Sequence, residues 1–519
     1  MGKSLKFWLK ISGGIIVGVI LLLFVLQWFM KNKIENYLKN DLPDTIQLTY
    51  SDLNLNIFSG SLSLNQVEVS RIGETTNDIL ATAKLEQLQV SDVSYWSYLV
   101  NNTIHVSNIQ LERPNIIYNH NAKIQKSNYK SSSNKPYDKT VKVDGFFINS
   151  ANIQIRNVET DSLMLRVENT KFSLKDIRFD EKTSAQKIPI AYADINLVFE
   201  SLFFRMGDYE DLTLGHSEIK NQHVSLQELT LKTKYTKQKL SQILPVERDH
   251  YNVVVKSIDI NDFKYGFRQD SIFQFKSPKI TFTEPNAEIY RDKLVADDES
   301  IKPLYSKMLR DLKFDLSIDE IKIADANISY SEKVKVDRQA GTVNFNEFQA
   351  TIKNVSNTYV VPTKTTLDIN TQFMDHAPLK AYWEFDVNDD TDLFLFKAEI
   401  DLLQASYLNK FLVPNLNVRL EGQLEKTYLT IGGTDDLSRI DFKVSYQAFD
   451  VIILKENGKE DNKFLSGIAN IFVSKDSKKN DSQFIEVSKE GVERSKNQSV
   501  FNYIWINTRA GLLKAMTFE

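Results

Sequence analysis

The residues of this chain that could carry chemistry are a few histidines and two clusters of acidic residues. His216 and His223 lie near Glu218, and these three side chains could ligate a metal ion. Their spacing matches no helical HExxH-type arrangement, and they lie in predicted strands and turns. We therefore interpret them as exposed polar residues and predict no metal site.

Residues 386–392 resemble a calcium-binding loop in their run of aspartates. Such a loop needs glycine at its sixth position and glutamate at its twelfth, but Thr391 and Lys397 stand there. The tip of an acidic hairpin explains the segment better. Asp435 and Asp436 follow two glycines and likewise indicate a turn.

The sequence contains no nucleophile elbow, P-loop or dinucleotide-binding fingerprint. It also has no cysteine, which removes disulfides, thiolate zinc sites, iron–sulfur clusters and cysteine nucleophiles. With only six histidines, a hydrolytic or redox centre has few available parts. We predict that the protein is not an enzyme, that it uses no cofactor, and that it has no catalytic or metal-binding residues.

The composition is that of a folded protein. Of 519 residues, 42% are hydrophobic and 25% are charged, close to the average for globular chains. The length allows several domains or one extended architecture. A net charge of -4 gives no general electrostatic reason to bind nucleic acid, so we predict no nucleic-acid partner.

Residues 11–30 form an apolar segment without a charged side chain. A helix of this length spans the hydrocarbon core of a bilayer, which is about 30 Å thick. Trp28 and Phe29 close the segment where aromatic rings favour the headgroup level. A cleaved signal peptide is disfavoured because the segment is too long and no small-residue cleavage site follows. We predict a single transmembrane helix at 11–30, preceded by a cytoplasmic tail at 1–10.

The lysines on the two sides of this segment balance, so the positive-inside rule hardly separates the two orientations. Because the tail is short and long domains cross membranes largely regardless of charge, we predict that everything after the helix lies outside the cytoplasm. The balancing residues are Lys3, Lys6 and Lys10 before the segment and Lys31, Lys33 and Lys39 after it.

Residues 41–473 are predicted to form a β-rich body, since short segments alternate apolar and polar residues throughout. The alternating segments 53–57 and 62–64 flank Ser59 and Gly60, which indicates an early hairpin. Two stretches look unlike strands: 121–140, predicted to be a mobile loop, and 474–498, predicted to be a flexible tether. Residues 499–519 are predicted to form an amphipathic helix.

An internal repeat gives a more specific signal. Four segments align without gaps, and their apolar residues fall at matching positions. In each segment, apolar residues alternate with other residues in two short stretches, and two residues instead of one separate the last apolar residue of the first stretch from the first small or apolar residue of the second. Two strands joined by a short break explain the pattern, although an antiparallel meander can also produce such matches by chance. Recurrence of the unit favours a modular sheet built along an axis. The segments are 106–118, 143–155, 255–267 and 318–330.

Three parts of the sequence resemble the AsmA-like family of bacterial envelope proteins. Directly after the predicted membrane helix, residues 50–70 are similar to the family's opening strand, turn, glycine and strand. Residues 83–117 resemble its module of strand, short hydrophobic helix and strand pair ending in Leu-x-x-Pro. Residues 420–454 resemble its closing module, while the middle of the chain is similar only in style.

The resemblance implies a mainly β fold: a single N-terminal transmembrane helix followed by an elongated, twisted, curled antiparallel sheet forming a repeated β-groove, with a few short helices. It also implies a protein of the bacterial inner membrane with its body in the periplasm. Its partners would be the membrane, phospholipid or another acyl lipid, and envelope proteins. We therefore expect it to bind or transfer lipid in an apolar groove and to support outer-membrane assembly. The chain is shorter than the lipid-bridging members, so a groove spanning the periplasm is not implied.

The apolar positions of the repeat are the candidate lipid contacts, because alternate side chains of a strand share one face. Acyl chains lying there would gain about 0.8 kcal/mol per buried methylene. Alternation fixes a face but not what covers it, so the same residues could fill a closed core. In that case the protein would be a non-catalytic envelope scaffold or assembly factor that binds partner proteins. The candidates are Ile109, Leu111, Phe146, Ile148, Ile258, Ile260, Ile321 and Ile323.

Overall fold

Strands dominate the computed structural model, which describes residues 24–73, 78–121, 139–268, 271–455, 477 and 484–517. With 60% strand and 16% helix, the prediction of a mainly β protein is confirmed. The sheet is large, mostly antiparallel and curled. The chain divides into two compact units: unit 1 is Met1–Arg205 with Gly215–Asn221, and unit 2 is Met206–Leu214 with Gln222–Glu519.

The elements up to residue 206 are mostly long strands. In chain order they are α1 (24–40), β1 (Ile46–Thr49), β2 (Asp52–Asn56), β3 (Ser61–Ile72), β4 (Ile79–Val93), α2 (Tyr95–Asn101), β5 (Thr103–Glu112), β6 (Asn115–His120), β7 (Thr140–Asn157), β8 (Ser162–Phe179), α3 (Glu181–Ser184), β9 (Asp194–Phe199) and β10 (Ser201–Met206).

The remaining elements include four further helical segments of the described chain. They are β11 (Glu210–Leu214), β12 (Ser217–Lys220), β13 (His223–Thr233), α4 (Lys237–Ile243), β14 (Asp249–Asn261), β15 (Lys264–Arg268), β16 (Ile272–Asp292), α5 (Tyr305–Arg310), β17 (Asp315–Lys333), β18 (Gly341–Ser356), β19 (Thr365–Phe373), β20 (Ala377–Phe385), β21 (Phe394–Ile400), β22 (Leu403–Gln404), a 3-10 turn (Ala405–Leu408) running into α6 (Asn409–Leu416), β23 (Val418–Gly433), β24 (Leu437–Ile453), β25 (Ile485–Glu493) and α7 (Val500–Thr517).

The predicted transmembrane helix is described only in part. Residues 11–23 and the tail at 1–10 lie outside the described residues, and the chain is helical from residue 24 to residue 40. Within the ranges given above, no helix is both long enough and apolar enough to cross a bilayer.

Unit 1 begins with the predicted hairpin, in which β2 and β3 pair antiparallel. From there β3, β4, β5, β7, β8 and β9 are neighbours in turn, and the pairing of β5 with β7 is parallel. A small core of Leu53, Leu64, Val67 and Leu85 lies at the start of this sheet, and Ile34 of α1 packs against it. The helix that follows the apolar N-terminal segment is thus part of unit 1.

In unit 2, strands β13, β14, β16, β17, β18, β19, β20, β21, β23, β24 and β25 are neighbours in that order. Only the β16–β17 pair among these is parallel. The largest hydrophobic core of the described chain lies at the C-terminal end of this sheet, under α5, α6 and α7. It includes Trp383, Ile431, Ile440 and Tyr503.

The break predicted in the repeat is confirmed, because the same position adopts a left-handed backbone in all four copies. Arg113, Ser150, Asp262 and Asp325 have φ angles of 47°, 53°, 48° and 55°. The break separates β5 from β6 and β14 from β15, whereas β7 and β17 continue through it as bulged strands. A bulge adds one residue, bends the strand and increases its twist, which accounts for the three-residue spacing of the apolar side chains.

The predicted tether at 474–498 is wrong for residues Ile485–Glu493, which form β25. Among the described strands it pairs with β24 alone, and two of its glutamates face cations there: Glu486 contacts Lys443 at 2.5 Å and Glu490 contacts Arg439 at 2.9 Å. Charge is expected on an edge strand. In the predicted mobile loop at 121–140, residues 122–138 lie outside the described residues.

Candidate functional site

Two rows of apolar side chains cross the strands of unit 1, and they bring four predicted lipid contacts together. Ile109 is the register partner of Phe146, and Leu111 is the partner of Ile148. We call the two rows A and B. Row A is Leu62, Val90, Ile109, Phe146, Leu174 and Ile195, and row B is Leu64, Leu88, Leu111, Ile148, Phe172 and Leu197.

Unit 2 carries two longer rows, C and D, which contain the other four predicted contacts. Row C is Val224, Ile260, Ile280, Ile321, Ile352, Leu367, Trp383, Phe396, Ile431 and Ile440. Row D is Leu226, Ile258, Phe282, Ile323, Ala350, Ile369, Ala381, Ala398, Leu429, Phe442 and Val487.

The opposite face of the same strands is polar. The positions between rows C and D along each strand give a third line of register partners that point the other way, since successive side chains alternate. This line is Ser225, Asp259, Thr281, Lys322, Thr351, Asp368, Tyr382, Lys397, Thr430, Asp441 and Ser488. The sheet of unit 2 therefore has one apolar side and one polar side.

The rows are half-buried where the predicted contacts lie. Seven of the eight predicted residues are neither buried nor fully exposed, and the eighth, Ile258, is 7% exposed. The small cluster around Val255, Ile280 and Ile318 has mostly partly buried neighbours. Side chains in the middle of a closed sandwich would be almost entirely removed from water, so these strands are not covered as a closed core would be.

Rows C and D become fully covered toward β23 and β24. Ile431 and Ile440 of row C are 0% exposed. Helix α7 lies over this part of the sheet, and it approaches closely because residue 511 is glycine: a Cβ there would sit 2.8 Å from the Cβ of Phe442. The buried Asn507 of α7 accepts a hydrogen bond of 2.9 Å from Ser438. The closed-core alternative thus describes this end of unit 2.

Most of the row residues, 25 of the 33, were not among the predicted contacts. The strongest additions are Phe282 and Ile280 of β16, which stand between two copies of the repeat in the sheet. They were not predicted because β16, although parallel to β17 and in register with its copy of the repeat, has Ser277 where that copy has the apolar Ile318. The alternation of residues 279–282 was the available signal.

The histidine and aspartate clusters provide no metal site in the part of the chain that the structure describes. His216 lies 3.5 Å from Glu200, and His223 contacts the Asn261 side chain at 2.9 Å. Residues 386–392 connect β20 to β21, as the hairpin interpretation predicts. Asp392 is buried there, however, and accepts hydrogen bonds from Ser306 and Arg310.

A polar cavity of about 600 Å³ lies among β14, β16, β17 and β18. On its β18 side, Asn344 and Asn346 both donate to Asp375, which also pairs with Lys410 at 3.0 Å. These side chains are therefore held by internal hydrogen bonds.

A charged cluster lies at the start of β14 and at the ends of β16 and β17. Buried Glu247 accepts a hydrogen bond of 2.7 Å from Lys293, and Asp249 pairs with Arg291 at 2.7 Å. Burial raises the pKa of the neighbouring Glu332 above its usual value, against the lowering influence of Lys293. A buried carboxyl of this kind favours its protonated form.

The pKa of Glu332 predicts a pH-dependent effect of Glu332→Gln. Because the folded state holds this proton more tightly than the unfolded state, ionisation costs stability as pH rises. The variant should unfold at a higher temperature than the native chain at pH 7, and the difference between their unfolding temperatures should shrink as the pH falls toward 4. Exposed Glu288 on β16 is the control, since Glu288→Gln should show no such trend. A gap that widens toward pH 4 would contradict the prediction.

The sequence was also compared with known proteins. No protein-family model matches the chain, and no curated protein matches it either.

Proposed function

We propose that this chain is an AsmA-like protein of the bacterial inner membrane whose periplasmic body binds or transfers lipid and thereby supports outer-membrane assembly. The observation that carries the proposal is the burial of rows A to D: they are continuous and apolar, yet half-buried at the predicted contact residues. Apolar surface on that scale in contact with water is unusual in a protein that has no apolar ligand.

The chemistry of the rows suits acyl chains. A fatty tail has no polar group to satisfy, so it can lie across several strands and gain about 0.8 kcal/mol for each methylene removed from water. Binding would follow the area covered and would discriminate little between tails. The body would act without catalysis, and the headgroup would remain in water.

An envelope scaffold is the second function that a specific observation supports. The C-terminal part of unit 2 has a closed core with fully buried Ile431 and Ile440, as expected for a body that binds partner proteins through its outer surface. Lipid binding requires that acyl chains can reach the apolar rows, whereas a scaffold can function with rows that are closed.

Site-specific photocrosslinking separates the two functions. A benzophenone amino acid at position 321, in row C, should form adducts with phospholipid in cell membranes. The same probe at position 322, on the polar face of β17, should not, because neighbouring side chains point to opposite sides. Mass spectrometry of the adducts is the measurement. Protein adducts without lipid at position 321 would favour the scaffold, and equal lipid labelling at both positions would rule out face-specific binding.

A further inference from the structure

Helix α2, in unit 1, is an apolar helix that buries nothing. Its sequence is YWSYLVN, and no residue of the seven is buried. Trp96 is 73% exposed and Leu99 is 77% exposed. A helix this short is not stable by itself and is normally held by an apolar face packed on a core. Ser94 caps it, accepting a hydrogen bond of 3.2 Å from the Ser97 amide, but none of its apolar side chains is buried in a core of the residues that the structure describes.

The hairpin turn at residues 57–60 lies beside the start of this helix. The amide of Val93 donates a hydrogen bond of 2.9 Å to the carbonyl oxygen of Gly60. Gly60 adopts a left-handed backbone, and a Cβ at this position would sit 2.6 Å from the Val93 carbonyl oxygen. Phe58, in the same turn, is 64% exposed. The turn and α2 are therefore joined at Gly60 and Val93, and we call their exposed apolar side chains together the α2 knob: Phe58, Tyr95, Trp96, Leu99 and Val100.

Helix α1 relates this knob to the apolar N-terminal segment. The Gln27 side chain donates a hydrogen bond of 3.1 Å to the Leu55 carbonyl oxygen, while Ile34 and Leu38 pack on the core that contains Leu53. Helix α1 and strand β2 thus run in opposite directions. Strand β2 ends at Asn56, and the turn at 57–60 follows it directly, so the turn lies beyond Leu55 toward the N-terminal end of α1.

That end of α1 is itself apolar and uncovered. Phe24, Val25, Trp28 and Phe29 are all more than half exposed, and they belong to the apolar segment 11–30. If this segment enters a bilayer, the turn at 57–60 lies beside the outer part of the segment, since Leu55 is bonded to Gln27. The apolar surface of α1 and the α2 knob then meet the same layer of lipid.

The polar neighbour of the knob has the chemistry of a membrane interface. The Lys139 amine lies 4.8 Å from the centre of the Tyr98 ring and donates to its hydroxyl at 3.1 Å. Tyrosine and tryptophan favour the headgroup level, and lysine there pairs with lipid phosphates. Lys139 directly precedes β7, whose first residue pairs with the first residue of β5 after α2.

We propose that the α2 knob inserts into the outer interface of the bilayer that holds the N-terminal segment. The occupant is a phospholipid surface rather than a second copy or another protein, because the knob continues the apolar surface of a helix that emerges from the segment 11–30. The inference rests on the membrane anchor of the proposed function. It adds a second contact, which fixes the tilt of unit 1 and holds the α2 end of its strands against the lipid.

The absence of cysteine makes this insertion directly measurable. The full-length chain with Leu99→Cys, labelled with an environment-sensitive fluorophore, is reconstituted into phosphatidylcholine–phosphatidylglycerol vesicles that contain spin-labelled lipid. Fluorescence should fall about twofold or more if the residue lies within the 5–10 Å interfacial layer. Val158→Cys is the matched control: Val158 is an exposed apolar residue in unit 1 that follows the far end of β7, so its fluorescence should not change.

A third position separates this inference from the proposed function. Phe29→Cys, in α1, should be quenched if the anchor is in the bilayer. Quenching at position 29 without quenching at position 99 would overturn the α2 contact and leave the anchor in place, whereas no quenching at either would overturn both. Equal quenching at 99 and 158, or a signal at 99 that depends on protein concentration instead of spin-labelled lipid, would also overturn the inference. Lipid photocrosslinking at position 321 reports on the rows independently.

Discussion

Replacing Ile440 with alanine is expected to lower the free energy of unfolding by about 2–5 kcal/mol, whereas the same replacement at Ile321 is expected to cost about 1 kcal/mol. Both residues belong to row C. Ile440 is 0% exposed under α7, so truncation there leaves a cavity that the core cannot fill. Ile321 is only half-buried, so part of its side chain already contacts water. Truncation to alanine there removes less buried apolar surface.

Urea unfolding of the full-length chain in detergent, followed by tryptophan fluorescence, measures the difference. Trp383 lies in the C-terminal core and should report its loss. The two variants are each other's control, because the chemical change is the same. Equal large losses at both positions would show that row C is packed as a closed core along its whole length, and the lipid proposal would then lose its main support.

Introducing a carboxylate into row D should remove bound lipid. Ile323→Asp places a charge among half-buried apolar side chains, and burying that charge against an acyl tail costs several kcal/mol. We expect the amount of phospholipid that co-purifies with the protein to fall by about tenfold or more, since tenfold corresponds to about 1.4 kcal/mol. Lipid extracted from the purified full-length chain and counted per mole of protein by mass spectrometry gives the result.

The matched control is Thr281→Asp. Thr281 lies on β16, in the polar line opposite the apolar rows. The variant therefore adds the same charge to the strand next to β17, but on the other side of the sheet. This variant should retain its lipid. If both variants lost lipid equally, the effect would come from general destabilisation, and if neither did, row D would not be the lipid contact.

Much of the local structure could be predicted from the sequence because the strand signal is local. Alternation identified the early hairpin and the repeat, and the break in the repeat coincides with Asp325 and its equivalents. Aspartate, serine and arginine at that position do not stand out in a single sequence, so the left-handed backbone itself was not predicted. The left-handed φ depends on the bulged pairing with neighbouring strands, which are distant in the sequence.

The burial of the rows could not be predicted, because it depends on contacts between segments far apart in the chain. Ile321 and Ile440 have the same residue type and the same alternating context, yet only Ile440 lies under α7. The close approach of α7 depends on Gly511, and a glycine in the sequence does not indicate that Phe442 will pack against it. Strand β25 was missed for a similar reason: its charged residues resemble a solvated linker in the sequence, and only β24 supplies the cations that pair with Glu486 and Glu490.

The left-handed breaks give the sheet a reading frame. Each break shifts the phase of its strand by one residue, so the side that faces the apolar rows depends on the number of residues counted from it. Loss of Lys322 alone, a residue of the regular part of β17, would put Ile321 and Ile323 on opposite sides of the sheet while leaving every remaining residue type unchanged. Loss of two adjacent residues would restore the phase. Changes of length in such a chain are therefore tolerated within strands only in pairs, and single insertions belong in the connections.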